Sequence, residues 1–260
     1  MLDWRAQVSA ALLYCGEGAV APHRSAARLC GLLDYDPAGI EVMIPAHRRV
    51  VPPGRVQVTT CADQASRAAP AGWPSRTTVE DTVLDLAERG DADDAIAWVS
   101  KACQRGRTTT ARLARTLEGR PRHRWRELLV DALGDVAEGV ESVLEYRYVR
   151  RVDRPHGLPR ARRQQVVVTG GVRRRTDNDY EPFGVIVELD GRVGHVGEGA
   201  FRDRIRDNAT AITGRLTLRF GWADVDAQAC EVAQDVAVVL WSRGWGGQLR
   251  RCGSGCRVSR

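Results

Sequence analysis

The sequence predicts an α/β protein of the α+β kind, with a smaller mixed module over residues 1–134 and a core of order αβββαβα over 135–260. Three observations predict it. Apolar residues recur at helical spacing in some segments and alternate as in strands in others. In the second half three strand-like runs follow one another between helices, which favours a layered sandwich over repeated βαβ units. With 260 residues, 43% apolar and 28% charged, the chain can bury two cores.

In the first module "WRAQVSAALLYC" has helical apolar spacing, and "PHRSAARLCGLL" reads as a second helix stopped between Asp34 and Gly39. The strands "IEVMIP" and "RVQVTT" follow, joined by a loop whose Pro52-Pro53-Gly54 permits only a turn. Three helices come next: "TVEDTVLDLAERG", with Thr78 as N-cap and Gly90 as stop, then "DADDAIAWVSKACQRG", then "TTTARLARTLEG". His23, His47 and His123 stand alone in the sequence, as structural or surface histidines usually do.

The second module opens with a helix from about Asp135 to Arg151, broken by "PHGLPR". "QQVVVTG", "GVRRRTDNDY" and "VIVELDG" read as successive strands, the last two turned by "EPFG". A helix over 199–213, the strand "LTLRFGW" and the helix "DAQACEVAQDVAVVLWSRG" complete it. Trp98, Trp125 and Trp241 fall at helical core positions, so no base-stacking platform is indicated.

No apolar run approaches the roughly 20 residues that span a bilayer. The first residues meet acid at Asp3 and Glu17 without a basic start, unlike a signal peptide, so a cytoplasmic location is expected. Seven cysteines scattered from Cys15 to Cys256 fit reduced thiols better than a disulfide framework. The net charge is +6, and of 39 basic residues only Lys101 is lysine. Residues 147–175 hold ten arginines against the single acid Asp153. Such a surplus suits a polyphosphate partner, so Arg160, Arg162, Arg163, Arg173, Arg174 and Arg175 are expected to bind DNA. A solvated basic surface is the plainer alternative.

"GVIVELDGRVGH" poses an electrostatic problem. Glu188 and Asp190 share one face of a strand whose other face is apolar. If residues 181–184 form a four-residue loop, Tyr180 pairs with Val185, Asp177 lies opposite Glu188 and Arg175 faces Asp190. Opposed residues have Cβ atoms about 5 Å apart, where like charges destabilise a sheet. Glu145, on the preceding helix, offers a third carboxylate. Mg²⁺ suits such oxygens and could polarise a phosphodiester and activate water. Alternatively, Asp190-Gly191 simply closes the strand and Glu188 pairs with one of the arginines.

These residues resemble the PD-(D/E)XK nuclease core, with its restriction-endonuclease-like fold. More closely, "RRRTDNDYEPFGVIVELDGRVGH", "FRDRIRDN" and "LTLRFGWADV" resemble a family of domains of unknown function related to the repair endonuclease Vsr, over residues 139–250. The resemblance implies Asp177 as principal metal ligand, flanked by Glu188 and Asp190, with His195 in place of a catalytic histidine. The motif's lysine position holds Asp190 instead. Arg202 or Arg206 could add positive charge but, staying protonated, no base; they also fit ordinary i, i+4 pairs with neighbouring acids. His195 could serve as the base.

In the first module "SAARLCGLL", "IEVMIP" and "TTVEDTVLDLA" look like the segment that follows the winged helix in AbiEi-type antitoxins and related transcriptional regulators. In such proteins a DNA-binding winged helix precedes this segment; the chain as given starts at Met1 without one, so either the true start lies upstream or this copy has lost it. The resemblance implies a regulator that binds DNA or a protein partner such as a toxin. At the other end Cys252 and Cys256 form a Gly-rich knuckle, with Cys230 one helix away; this spacing is compatible with structural zinc, and Vsr also carries one. A fourth ligand could be His195, which would then be removed from catalysis. No G-x-S-x-G elbow, P-loop or H-E-x-x-H motif is present.

Overall fold

The computed structural model describes residues 3–169, 172–191 and 213–258. The chain divides into two compact units, Met1–Ala137 and Glu138–Arg260. Each has its own sheet and its own core, and together they make a mixed α+β protein. Among the described residues no helix is long and apolar enough to cross a membrane.

The first unit begins with helix α1 (Trp4–Cys15), whose N-cap Asp3 accepts the Ala6 N–H at 2.6 Å. Val8, Ala11, Leu12 and Cys15 recur at helical spacing and pack on Ile40, Val42 and Ile44. Helix α2 (His23–Leu29) leads to strands β1 (Ile40–Pro45) and β2 (Val56–Cys61), which pair in parallel from Ile40 with Val56 to Pro45 with Cys61. A short helix not expected from the sequence, α3 (Gln64–Arg67), precedes α4 (Val79–Arg89). Thr78 caps α4 by accepting the Asp81 N–H at 3.0 Å, and Glu80 and Asp81 in its first turn suit the helix dipole. Helix α5 (Ala92–Gln104) carries an Asp91–Asp94 capping box, followed by α6 (Thr110–Glu118) and α7 (Arg126–Ala137). Leu84, Val99, Leu113 and Leu129 of these helices are fully buried in one cluster.

The second unit opens with α8 (Val143–Tyr148), a π-helical turn (Val149–Asp153) and α9 (Arg154–His156). The single helix expected from Asp135 to Arg151 is therefore interrupted. Gly139, at φ 99°, takes a backbone conformation that a helix excludes, and Ser142 restarts the chain as a new N-cap. Strands β3 (Arg162–Thr169), β4 (Val172–Tyr180), β5 (Val185–Asp190) and β6 (Leu216–Gly221) form one sheet in that order. The first three make an antiparallel meander, and β6 runs parallel to β5. Helices α10 (Trp222–Ala227) and α11 (Ala229–Ser242) follow, parted at Gln228 where one helix was expected. Val232, Val236 and Leu240 of α11 pack with Val185, Val187, Leu144 and Tyr148, and the hydroxyls of Tyr148 and Tyr180 meet at 3.1 Å inside this core. Trp241 is an exception to its expected core position: it is 41% exposed and stacks on Trp245. The helix expected over 199–213 lies largely outside the described residues.

Candidate functional site

The β4–β5 turn has the expected register, with Tyr180 opposite Val185. The ladder continues through Asp179–Ile186 and Asn178–Val187 and does not extend to Asp177 and Glu188. Instead Asp177 turns its carboxylate to the next strand's backbone, where Oδ2 accepts the Leu189 N–H at 2.7 Å. On the other side the β3–β4 ladder passes over Gln164 and Asp177. Gln164 sits at φ 52°, a left-handed conformation that side-chain-bearing residues rarely adopt and that clusters at functional sites.

That conformation sends the Gln164 amide to Glu145, donating to Oε2 at 2.8 Å, and the same side chain hydrogen-bonds Asp177. Glu145 lies on α8, and its carboxylate also accepts from Ser142 Oγ and from the Glu141 N–H, both at 2.9 Å. The structure thus gathers two of the predicted carboxylates about one amide. Burial pushes the Glu145 carboxyl above its ordinary range, the Glu141 N–H opposes this and the charge of Asp177 adds to it. Asp177 is raised in the same way, by burial first, against the Leu189 N–H.

Glu188 is engaged elsewhere. Its carboxylate pairs with Arg219 of β6 at 2.6 Å, Arg219 being its direct neighbour in the parallel ladder. Asp190 is exposed at the end of β5, beside the Gly191 carbonyl that accepts the Trp222 indole N–H. Arg175 does not face Asp190; it pairs with Val166 in the ladder, and its guanidinium binds Glu141. His195, Arg202 and Arg206 lie outside the described residues. Among the described residues Glu145, Asp177, Glu188 and Asp190 do not gather three ligand atoms within reach of one ion. Of the donor set expected for Mg²⁺, Glu145 and Asp177 share a hydrogen-bond partner, the Gln164 amide.

The arginine belt is less uniform than its sequence density suggests. Arg163 is buried and bridges Glu138 at 3.1 Å and Asp153 at 3.3 Å, so it holds the unit together rather than meeting a ligand. Burial pushes Asp153 up to about 6, against the pull of that guanidinium. Arg160 pairs with Glu138 and Arg162 with Glu181, both on the exposed surface. Arg173 and Arg175 are exposed on β4 opposite Val168 and Val166 of the edge strand β3, and those valines are exposed too. The side chain of Arg174 lies outside the described residues. The surplus read from residues 147–175 is thus partly offset by Glu138, Glu141, Glu181 and Asp226, acids from outside that window.

The first unit contains a constellation that the sequence reading missed. A cleft of about 660 Å³ is lined by Arg67, Asp81, Asp85 and Arg120. Arg120 Nη1 meets Asp85 at 2.7 Å and its other nitrogen binds Asp81, while Arg67 binds Asp85 and lies 3.6 Å from Asp81. Asp81 and Asp85 stand four apart on α4 amid Val83, Leu84 and Leu86, all buried. Two acids on one stripe of an otherwise apolar helix were the available signal.

The C-terminal cysteines converge as the spacing suggested, with a different histidine. Cys230 Sγ stands 3.7 Å from the sulfurs of both Cys252 and Cys256, and Cys256 Sγ is 3.7 Å from His156 Nε2. All four donor atoms lie within 4.8 Å of one another. Desolvation pushes the Cys256 thiol up, but the N–H groups of Val258 and Cys252 and the Cys252 and His156 side chains together bring it down to about 6. His156 follows the π-helical turn, 74 residues before Cys230, a separation at which no local spacing rule applies.

Residues 19–130 match the family model of the AbiEi antitoxin C-terminal domain, and so fall within the first unit. No curated protein matches the chain. Among solved structures, the chain is similar to the crystal structure of the RV2827C protein from Mycobacterium tuberculosis, with 23% identity and a TM-score of 0.39. That match covers 52% of this chain and 55% of the other, so it spans about half of that protein's length.

Proposed function

We propose that this chain is a DNA-binding regulator of the antitoxin kind that does not cut its ligand. The observation that carries the reading is the match of residues 19–130 to the AbiEi antitoxin C-terminal domain, a region that includes the buried Arg67–Asp81–Asp85–Arg120 network and its cleft. The state of Glu188 in the second unit supports it, since its carboxylate is held by Arg219. DNA would lie on the β3–β4 face, where Arg173 and Arg175 flank exposed valines, with Arg160 and Arg162 beside it. Surface ion pairs such as Arg160–Glu138 are worth about 0–1 kcal/mol, so a phosphate can displace the acid. A toxin-like protein partner for the first unit belongs to the same reading.

Fluorescence anisotropy with a labelled duplex tests it. Binding should weaken steeply with salt, as phosphate neutralisation requires, and Arg173→Glu with Arg175→Glu should weaken it by roughly tenfold or more. Arg163→Met, if it folds, should leave the salt dependence unchanged. Binding that is insensitive to salt and to the reversed arginines would contradict the DNA face.

A second reading is favoured by one observation, that Glu145 and Asp177 share the Gln164 amide beside the β3–β4–β5 meander and that burial raises both. It is Mg²⁺-dependent phosphodiester hydrolysis by a Vsr-like PD-(D/E)XK domain. Asp177 and Glu145 would hold the ion, and Glu188 would have to exchange Arg219 for it. Asp190 and His195 would assist. Metal-dependent nicking of supercoiled DNA, abolished by Asp177→Ala, distinguishes this reading from the first.

A further inference from the structure

We propose that His156, Cys230, Cys252 and Cys256 form a structural zinc site that fastens the C-terminal segment of the chain to the second unit. The proposal does not depend on whether the unit binds or cleaves DNA.

Four donors set about 2.0–2.3 Å from one ion at tetrahedral corners stand about 3.5–3.8 Å apart. The three closest separations here, Cys230–Cys252, Cys230–Cys256 and Cys256–His156, are each 3.7 Å. A disulfide would bring two of the sulfurs to about 2.05 Å, and all three cysteines are free thiols. Three soft sulfurs and one imidazole select zinc over the oxygen-preferring Mg²⁺ or Ca²⁺.

The histidine is prepared for such a role. His156 is fully buried, and its Nδ1 lies 2.9 Å from the Val152 carbonyl. When Nδ1 donates that bond, the Nε2 lone pair faces the cysteines. Metal-bound histidines are commonly oriented by this kind of bond from the other ring nitrogen, which fixes the tautomer.

The donors come from three parts of the unit: His156 from the end of α9, Cys230 from the first turn of α11, and Cys252 and Cys256 from the tail. Around them the backbone is drawn close. Arg250 N donates to the His156 carbonyl at 2.8 Å, and Cys256 N to the Gly253 carbonyl at 3.2 Å. At Gly157, φ 69°, an added Cβ would stand 3.0 Å from the Arg250 side chain, so a residue without one is needed where the tail crosses. Cys256 and Val258 are buried although they stand near the end of the chain. The Arg257–Glu231 ion pair and the packing of Leu249 add to this anchoring, and an ion would join the three parts at one point.

Metal analysis of the whole chain, purified reduced and without chelator, tests the assignment. Zinc should be present at about one equivalent per chain. It should persist in His195→Ala and fall several-fold in Cys256→Ser, His156→Gln and the exposed Cys252→Ser, whose fold is checked by circular dichroism. Cobalt added to the zinc-stripped wild type should give the visible bands of a tetrahedral thiolate site, a readout that needs no variant to fold. Less than about a tenth of an equivalent in the wild type together with no such bands, iron in place of zinc, or zinc retained in folded Cys252→Ser and Cys256→Ser, would overturn the proposal. Loss of zinc in folded His195→Ala would overturn the role given to His156.

Discussion

The acids of the first unit and the Glu145–Asp177 pair of the second are handled in opposite ways, although Asp153 and Asp179 of the second unit also meet guanidinium groups. In the first, Asp81 and Asp85 each meet Arg67 and Arg120, and Glu41 meets His23 and Arg89. In the second, Glu145 and Asp177 share the neutral amide of Gln164, and burial raises both. A buried acid with guanidinium partners is a structural element. One held by amides and N–H groups keeps an affinity for a proton or another cation, and it marks where function is to be sought.

The largest expected effect breaks the first arrangement. Arg120→Ala leaves Arg67 as the guanidinium partner of Asp81 and Asp85, with the Thr78 hydroxyl still on Asp81, and should destabilise the protein by about 3 kcal/mol in urea unfolding, the lower end of the cost of breaking a buried pair. A loss below about 1 kcal/mol would mean that water already reaches the network.

Acid should separate the two units next. Burial raises Glu41, but His23, Arg89 and the Arg24 N–H bring it down to about 2. Its contribution is complete above its ordinary range near 4.5 and is lost as pH falls towards 2. Asp153 is shifted upwards to about 6, so its contribution is complete below about 4 and is lost as pH rises through 6. Between pH 6 and 5, hydrogen exchange should therefore show protection rising around Asp153 while that around Glu41 holds. Each effect is on the order of 1–3 kcal/mol. Parallel behaviour at both places would contradict the contrast.

The smallest effect sharpens it. Glu145→Gln keeps the shape and can still exchange hydrogen bonds with Ser142 and Gln164. Because the carboxylate is already disfavoured there, the substitution should change stability at neutral pH by less than about 1 kcal/mol, or increase it. A loss above about 2 kcal/mol would show that the ionised carboxylate is a structural partner after all.

What could be read from the sequence was local. Thr78 and Gly90 bound α4, Thr78 through the N-cap bond its hydroxyl predicts, and the four-residue turn sets Tyr180 against Val185. The break at Gly139 was missed because helical apolar spacing runs on across it, while a single glycine at φ 99° ends the helix. Long-range partners were not legible. Nothing near Glu188 announces Arg219, 31 residues on, and Arg163 looks like its exposed neighbours until Glu138 and Asp153 enclose it. Cys252 and Cys256 were readable as a knuckle with Cys230 one helix away, but His156 joins them only through the fold.

The most direct test is the fate of supercoiled DNA incubated with the purified chain and Mg²⁺ or Mn²⁺, beside Asp177→Ala and Glu188→Ala, under conditions where the duplex is bound. If the second unit holds DNA without hydrolysing it, the supercoiled form persists equally in all three. Metal-dependent nicking by the wild type that disappears in Asp177→Ala would contradict that claim and establish the hydrolytic reading.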